Sequence, residues 1–351
     1  MRHKARQFAS AYPADMNQRF HMGDVPRLGG LAMILSFVAA LGGAWSVGLW
    51  SSLNLGLQPS QLAAYVAFLA LPVLVGVYED LTQRVGVWQR LMVTGAGAIL
   101  AIVWLDVNVT RLGWAPLDTF WAEAPWLGMA LAFLAMAGLP HAFNIIDGFN
   151  GLAGMVALVI ASALFYLAFK FGDRELAAYA LCTLGVTLGF LVWNYPRGLI
   201  FAGDGGAYFW GLNIAIISIM LVQRHPQVSP WFPMLLLIYP VWETLFSTYR
   251  KLVRGVAPDV ADSMHLHHVI YKRMVRVAFD PDESKMLLSR NNRTTPYLVA
   301  LTLLTVVPAL LFWNNTPVLM AFCALFAVTY VVTYVAIIKF KLSRWLRRLM
   351  W

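Results

Sequence analysis

The chain has 351 residues, of which 60% are hydrophobic and only 12% are charged. Its mean hydropathy is +0.66. Soluble domains carry roughly 25% charged residues, so this composition excludes an ordinary soluble protein. It predicts an all-α polytopic membrane protein.

Apolar runs of about 17 to 25 residues predict ten membrane-spanning helices. In chain order they are 29–49, 62–78, 88–105, 126–143, 151–170, 175–193, 207–223, 230–250, 295–313 and 316–338. No soluble domain is left over, so residues 1–351 are predicted to form a single integral-membrane domain. Its polar parts are an N-terminal segment at 1–28, a long loop at 250–294 and a basic amphipathic tail at 339–351.

The basic residues predict the orientation of these helices. If the N-terminus is cytoplasmic, all the lysines and arginines lie in cytoplasmic segments except Arg111, Lys170, Arg174 and Arg224. Basic residues are retained on the cytoplasmic side, so both termini are predicted to be cytoplasmic. The net charge of +9 is therefore a signature of topology and of attraction to anionic lipids, and no nucleic-acid partner is expected.

Two polar motifs flank the first two predicted spans. Arg27 precedes the first span, where a basic flank and a helix start would account for it. Glu79 and Asp80 end the second span. Two adjacent acids repel each other unless a cation is near, so this pair favours a metal or catalytic site over a solvated pair.

A third motif, residues 141–154, has the densest polar chemistry in the chain. Asn144, Asp147 and Asn150 recur at three-residue spacing, so they would share one face if a helix begins here. A carboxylate and two amides could then converge on one ligand. The alternative is a polar turn between two spans, with Asp147 as an N-cap.

A fourth motif is Asp204, which is enclosed by three glycines before the seventh span. A hard oxygen ligand beside the N–H groups of a helix N-terminus suits a Mg²⁺-bound phosphate. A glycine turn capped by Asp204 is the alternative.

The eighth predicted span and the loop after it also carry polar groups. Pro240 should kink this span and open a groove to lipid, and Glu243 is the only acid placed well within a span. His265, His267 and His268 follow in the long loop, where they could bind phosphate or a metal. Chance clustering in a basic loop is the alternative for the histidines.

Taken in order, these motifs resemble the polyprenyl-phosphate N-acetylhexosamine-1-phosphate transferase family. The matching pieces are Val25–Gly30, Glu79-Asp80, Asn144–Leu152, Gly203–Gly206 and His265–His268. The family usually has aspartate where this chain has Glu79, and many members have aspartate where it has Asn150. Members usually carry a membrane helix upstream of the first motif, where this chain has a short polar segment.

The resemblance implies a transferase of the bacterial inner membrane, with its active site at the cytoplasmic face. It would move a sugar 1-phosphate from a UDP-N-acetylhexosamine to a polyprenyl phosphate and release UMP, initiating a cell-surface glycan such as O-antigen. Catalytic roles are implied for Asp80, Glu79 and Asp147, and Asp204 with Asp147 would hold Mg²⁺, with Mn²⁺ as an alternative. Phosphate or sugar would be bound by Arg27, Asn144, Asn150, His265, His267 and His268.

Two other classes of protein remain to be compared. A transporter of an anionic solute is compatible with ten spans and a kinked helix, but transporters place their sites near the bilayer midplane in repeated, broken helices. A scaffold without chemistry would leave the clustered acids unexplained. The sequence leaves homodimerisation open.

The topology makes a prediction. Cysteines placed near Glu79, Asp147, Asp204 and His267 should react with a membrane-impermeant thiol reagent only from the cytoplasmic side, because the basic residues place these motifs there. A cysteine near Asp118 should react only from outside. Labelling of any of the four motifs from outside would contradict a shared cytoplasmic site.

Overall fold

The structure is a computed structural model that describes residues 25–48, 59–257, 262–275 and 283–339. These ranges contain thirteen α-helices and no strand. The helices are α1 Gly29–Ser46, α2 Pro59–Thr82, α3 Val87–Leu105, α4 Ala115–Glu123, α5 Pro125–Ile146, α6 Leu152–Lys170, α7 Arg174–Asn194, α8 Gly203–Arg224, α9 Trp231–Leu236, α10 Ile238–Val253, α11 Leu266–Arg273, α12 Glu283–Leu311 and α13 Thr316–Ile338.

Nine helices in the described ranges are long and apolar enough to cross a membrane. The chain is therefore an all-α, multi-pass membrane protein, as the sequence predicted. The prediction of an eighth continuous span at 230–250 was wrong, because this segment is divided into α9 and α10. The ring of a proline clashes with the carbonyl four residues earlier, and α9 ends at Leu236, four residues before Pro240. Glu243 consequently lies on α10 and not within a continuous span.

The predicted loop 250–294 contains more helix than its polarity suggested. Its first residues end α10, α11 lies in its middle, and α12 begins at Glu283, well before the apolar run starts. The predicted tail beyond Lys339, and the N-terminal segment before Val25, lie outside the described residues.

Helix α8 is the centre of the bundle. Its apolar, membrane-crossing stretch is buried along its whole length, and it packs against α1, α2, α5, α6 and α7. Two buried polar side chains of this helix bond to α7: the Asn213 amide donates to Thr183 Oγ1 at 2.5 Å, and the Trp210 indole donates to Thr187 Oγ1 at 2.9 Å. Tyr65 of α2 donates to Asn213 Oδ1. These bonds hold α8 in one rotational position.

Glycines bring three helix backbones into contact at one end of α8. A Cβ on Gly30 of α1 would overlap the backbone of Gly205 and Gly206, and a Cβ on Gly76 of α2 would lie 2.6 Å from the Gly205 nitrogen. Small residues permit such close approach between membrane helices. The start of α8 is therefore wedged between α1 and α2.

This packing predicts that Gly30→Ala lowers the thermal stability of the purified protein, because overpacking costs about 1–3 kcal/mol. Thermal unfolding in detergent, followed by tryptophan fluorescence, would measure the change in Tm. The control is Gly42→Ala on the same helix, where a Cβ meets no heavy atom within 4 Å. Equal Tm values for the two variants would contradict the close contact between α1 and α8.

Candidate active site

The carboxylate of Asp204 is the meeting point of side chains from three helices. Asp204 is the second residue of α8. Its Oδ1 accepts a hydrogen bond from the Asn144 amide of α5 at 2.7 Å, and its Oδ2 pairs with Arg90 Nη1 of α3 at 2.8 Å. The hydroxyl of Tyr208, one turn along α8, donates to Oδ2 at 3.4 Å. The structure thus brings Asn144 of the 141–154 motif into contact with Asp204.

Asp80 caps the N-terminus of α8 from the end of α2. Its two carboxylate oxygens accept the backbone N–H groups of Asp204 at 3.0 Å and of Gly205 at 3.1 Å. A carboxylate at this position also opposes the positive end of the helix dipole. Only 1% of Asp80 is exposed, and Arg27 Nη1 lies 3.6 Å from its Oδ1.

This cap corrects the expectation that the start of α8 offers free N–H groups to a phosphate. The N–H groups of Asp204 and Gly205 already have an acceptor in Asp80. Gly203 serves the same contact: its φ is +68°, and a Cβ there would overlap the Asp80 carboxylate. The glycines of this motif therefore allow close packing and the Asp80 cap.

Glu79 does not act together with Asp80 as a pair. Consecutive residues on a helix point in different directions, and the Glu79 carboxylate accepts the N–H of Val85 at 2.7 Å. Glu79 thus fixes the turn between α2 and α3. The catalytic role that the resemblance implies for Glu79 stays a prediction.

The motif at 141–154 is a turn between two helices, so its polar residues do not share a helix face. Helix α5 ends at Ile146, Asp147 is its C-cap, and α6 begins at Leu152. Gly151, which has a φ of +74°, stands at the N-cap position that was the alternative for Asp147. Prediction of a single helix face was therefore wrong.

Asp147 and Asn150 face different surroundings across this turn. Burial raises the pKa of the Asp147 carboxyl to about 7, against the lowering influence of Arg27 and with a further raising influence from Asp204. Asp147 thus senses the charges of the Asp204 cluster. The Asn150 amide instead donates to Asn292 Oδ1 at 3.1 Å and to the Pro196 carbonyl at 3.3 Å. Asn150 ties this turn to α12, which does not support the predicted role in substrate binding.

The three histidines are buried at the start of α11. His265, His267 and His268 are 8%, 1% and 5% exposed. Burial, together with the neighbouring histidine charges, lowers the pKa of His267 well below its ordinary value, and burial lowers that of His268 to about 3. Burial at this position therefore disfavours the charged form of both rings.

The histidines nevertheless meet the 141–154 turn. A Cβ on Gly148 would lie 2.7 Å from His267 Nε2, so the ring of His267 packs against the residue next to Asp147. Phe149 lies edge-on to His267 and His268, with ring centroids 5.5 and 5.9 Å apart. The structure thus brings the histidine motif into contact with the turn that contains Asp147.

Sequence reasoning assigned no site role to Arg90 or Tyr208. Arg90 is a basic residue in the first turn of an apolar span, at the same end of the bundle as Asp80. Tyr208 follows Asp204 by four residues, which is the spacing of neighbours on a helix face. Both signals were present but neither was distinctive.

The donor chemistry at this site is compatible with a divalent cation. Among the described residues, no group of three or more His, Cys, Asp or Glu side chains could hold a metal ion. However, Mg²⁺ is commonly held by one or two carboxylates together with substrate phosphates and water. Asp204 and Asp147, which follows the Asp204-bonded Asn144 by three residues, are carboxylates of that kind.

Comparison with known proteins adds the family. Residues 62–222 match the model of glycosyl transferase family 4. The chain is 26% identical, over 72% of its length and 67% of the relative, to a probable undecaprenyl-phosphate N-acetylglucosaminyl 1-phosphate transferase of Bacillus subtilis strain 168. It is 30% identical to the phospho-N-acetylmuramoyl-pentapeptide-transferase of Limosilactobacillus fermentum, over 63% of this chain and 66% of that one.

A third relative is the undecaprenyl-phosphate alpha-N-acetylglucosaminyl 1-phosphate transferase of Escherichia coli strain K12, which is 23% identical over 72% of this chain and 66% of that one. The chain thus spans about two thirds of the length of these relatives. The matched segment 62–222 contains Asp80, Arg90, Asn144, Asp147 and Asp204, which form the site described above. The chain belongs to glycosyl transferase family 4.

Proposed function

We propose that this protein transfers the sugar 1-phosphate of a UDP-N-acetylhexosamine to a polyprenyl phosphate such as undecaprenyl phosphate, giving a lipid-linked sugar diphosphate and UMP. The observation that carries the proposal is the convergence of Arg90, Asn144 and Asp204, with Asp80 and Arg27 behind them, at one end of an apolar bundle. Cationic and carboxylate groups beside a membrane suit two phosphate substrates, one of them a lipid.

In this reaction an oxygen of the lipid phosphate attacks the sugar-linked phosphorus of the UDP-sugar. A new P–O bond forms, the bond from that phosphorus to the bridging oxygen breaks, and UMP leaves with the bonding electrons. The reactants are both anions, so catalysis depends on positioning and on neutralising charge. A lipid phosphate is already largely ionised at neutral pH, and proton removal is therefore a minor part of the work.

The residues divide this work by their chemistry. Arg90 presents a planar guanidinium that matches phosphate oxygens, and Arg27 adds a second positive charge beside Asp80. Asp204 and Asp147 would hold Mg²⁺ or Mn²⁺, which when bound would neutralise the diphosphate and the leaving UMP. Asp80, whose oxygens are bonded to the α8 backbone, acts by holding Asp204 in place rather than by taking a proton.

The donor is proposed to be a UDP-N-acetylhexosamine and the product the start of a cell-surface glycan such as O-antigen. The His-Leu-His-His order at 265–268 resembles the N-acetylhexosamine branch, whereas the peptidoglycan branch carries three consecutive histidines. The site would face the cytoplasm, where UDP-sugars are made, with the protein in the bacterial inner membrane.

The proposed function predicts that purified protein in detergent with a divalent cation releases UMP from a UDP-N-acetylhexosamine only when polyprenyl phosphate is present. UMP release and lipid-linked product should be measured with UDP-GlcNAc, UDP-GalNAc and UDP-MurNAc-pentapeptide. Turnover of the muramoyl pentapeptide alone would assign the other branch. Transport of an anion into proteoliposomes, with no UMP formed from any donor, would favour a transporter instead.

The site predicts that Asp204→Asn lowers kcat by about 100-fold or more, since removing one group that stabilises developing charge typically costs that much. Asp80→Asn should have the same kind of defect: it should lower turnover and weaken the response to Mg²⁺, because Asp80 accepts the backbone N–H of Asp204. Steady-state kinetics with Mg²⁺ titrations would measure both effects.

Glu123→Gln provides the control, because Glu123 is an exposed acid beyond the other end of α5. It should keep wild-type kinetics. Normal Mg²⁺-dependent turnover in Asp204→Asn would contradict the metal assignment. An Asp80→Asn enzyme with slow turnover but an unchanged Mg²⁺ response would separate the two aspartates.

A further inference from the structure

Glu243 is a fully buried carboxylate with three hydrogen-bond donors. Its Oε1 accepts from His265 Nδ1 at 3.0 Å and from the backbone N–H of Leu266 at 3.1 Å, and its Oε2 accepts from the Tyr330 hydroxyl at 2.6 Å. None of its surface is exposed. Leu266 is the first residue of α11, so Glu243 caps that helix from α10, as Asp80 caps α8 from α2.

A second contact two turns along α10 holds the same loop. Asp262 pairs with Arg250 and accepts from the Ser247 hydroxyl at 2.8 Å and from the Met264 N–H at 2.9 Å. Tyr334 of α13 donates to the Met264 carbonyl at 2.9 Å. Positions 243, 247 and 250 share one face of a helix, so this face of α10 anchors residues 262–266 at two points.

The anchored loop determines where His267 lies in the proposed active site. His267 follows Leu266 directly, and its ring packs on Gly148 beside Asp147. The Nδ1 atom of His267 is buried and has no hydrogen-bond partner among the described residues. A buried polar atom left unpaired costs free energy.

We propose that Glu243 is a positioning residue of the active site: by accepting the hydrogen bonds of His265 and of the Leu266 backbone, it fixes the start of α11 and so places His267 against the Asp147 turn. This inference rests on the proposed function for its kinetic consequence. Its geometric part, the protection of the Leu266 N–H, can be tested without any activity.

Two conservative variants separate position from charge. Glu243→Gln keeps the length of the side chain and its Oε1 acceptor but removes the charge. Glu243→Asp keeps the charge but withdraws the acceptor by one methylene, about 1.5 Å. A positioning role predicts that the Gln variant stays within about threefold of the wild-type kcat/KM for the UDP-sugar. The Asp variant should lose about 10–100-fold, since displacements near 1 Å cost rates of that order.

Hydrogen–deuterium exchange gives the second measurement, in overlapping peptides across residues 262–273. The Leu266 amide should exchange faster in Glu243→Asp and remain protected in Glu243→Gln. The Met264 amide, which is bonded to Asp262, is the internal control and should be unchanged in both. Ser229→Ala, which loses the hydrogen bonds of a buried side chain just before α9, controls for general destabilisation and should leave the KM unchanged.

The outcomes are decisive in each direction. If Glu243→Gln loses kcat/KM while Glu243→Asp has normal kinetics, the effect is due to charge and the proposal is overturned. Normal kinetics in both variants would also overturn it. If both variants lose activity, a protected Leu266 amide overturns the proposal and an exposed one supports it. If the wild type forms no UMP with any donor, the proposed function fails, whereas the exchange of Leu266 still tests the anchor.

Discussion

The structure depends on one contact, in which the buried carboxylate of Asp80 accepts the first N–H groups of α8. A helix N-terminus carries unpaired donors and a partial positive charge, and neither could be left bare where α8 is wedged against α1 and α2. Asp80 satisfies both needs. Because one of these N–H groups belongs to Asp204, the contact also positions the Asp204 carboxylate, which bonds to Arg90 and Asn144.

The same arrangement occurs a second time at the histidine motif, where Glu243 of α10 caps α11. In both cases an acid from one helix caps the N-terminus of another helix. The packing of the helices therefore also sets the positions of Asp204 and His267. Removing either acid leaves buried donors without an acceptor, which costs more than the loss of an ordinary surface bond. The histidine motif and the 141–154 turn meet where His267 lies against Gly148.

The break between α9 and α10 decides the surroundings of Glu243. A continuous eighth span would have carried Glu243 through the membrane, where a lone carboxylate is costly. Helix α9 ends at Leu236, and α10, which begins at Ile238, is not among the helices long and apolar enough to cross a membrane. One face of α10 bears Glu243, Ser247 and Arg250, which hold the loop before α11.

The sequence by itself determined the membrane class, nearly all the span positions and most residues of the acidic cluster, because apolar length and rare polar residues in an apolar chain are local signals. The tertiary structure decided what those residues do. Glu79 and Asp80 are adjacent in sequence yet point to different partners, and Asn144 and Asn150 share a spacing but face α8 and α12 respectively. Arg90 and Glu243 gained their roles only through contacts with residues more than twenty positions away. Spacing along one helix records neighbours within it, whereas caps and ion pairs between helices depend on how the helices pack.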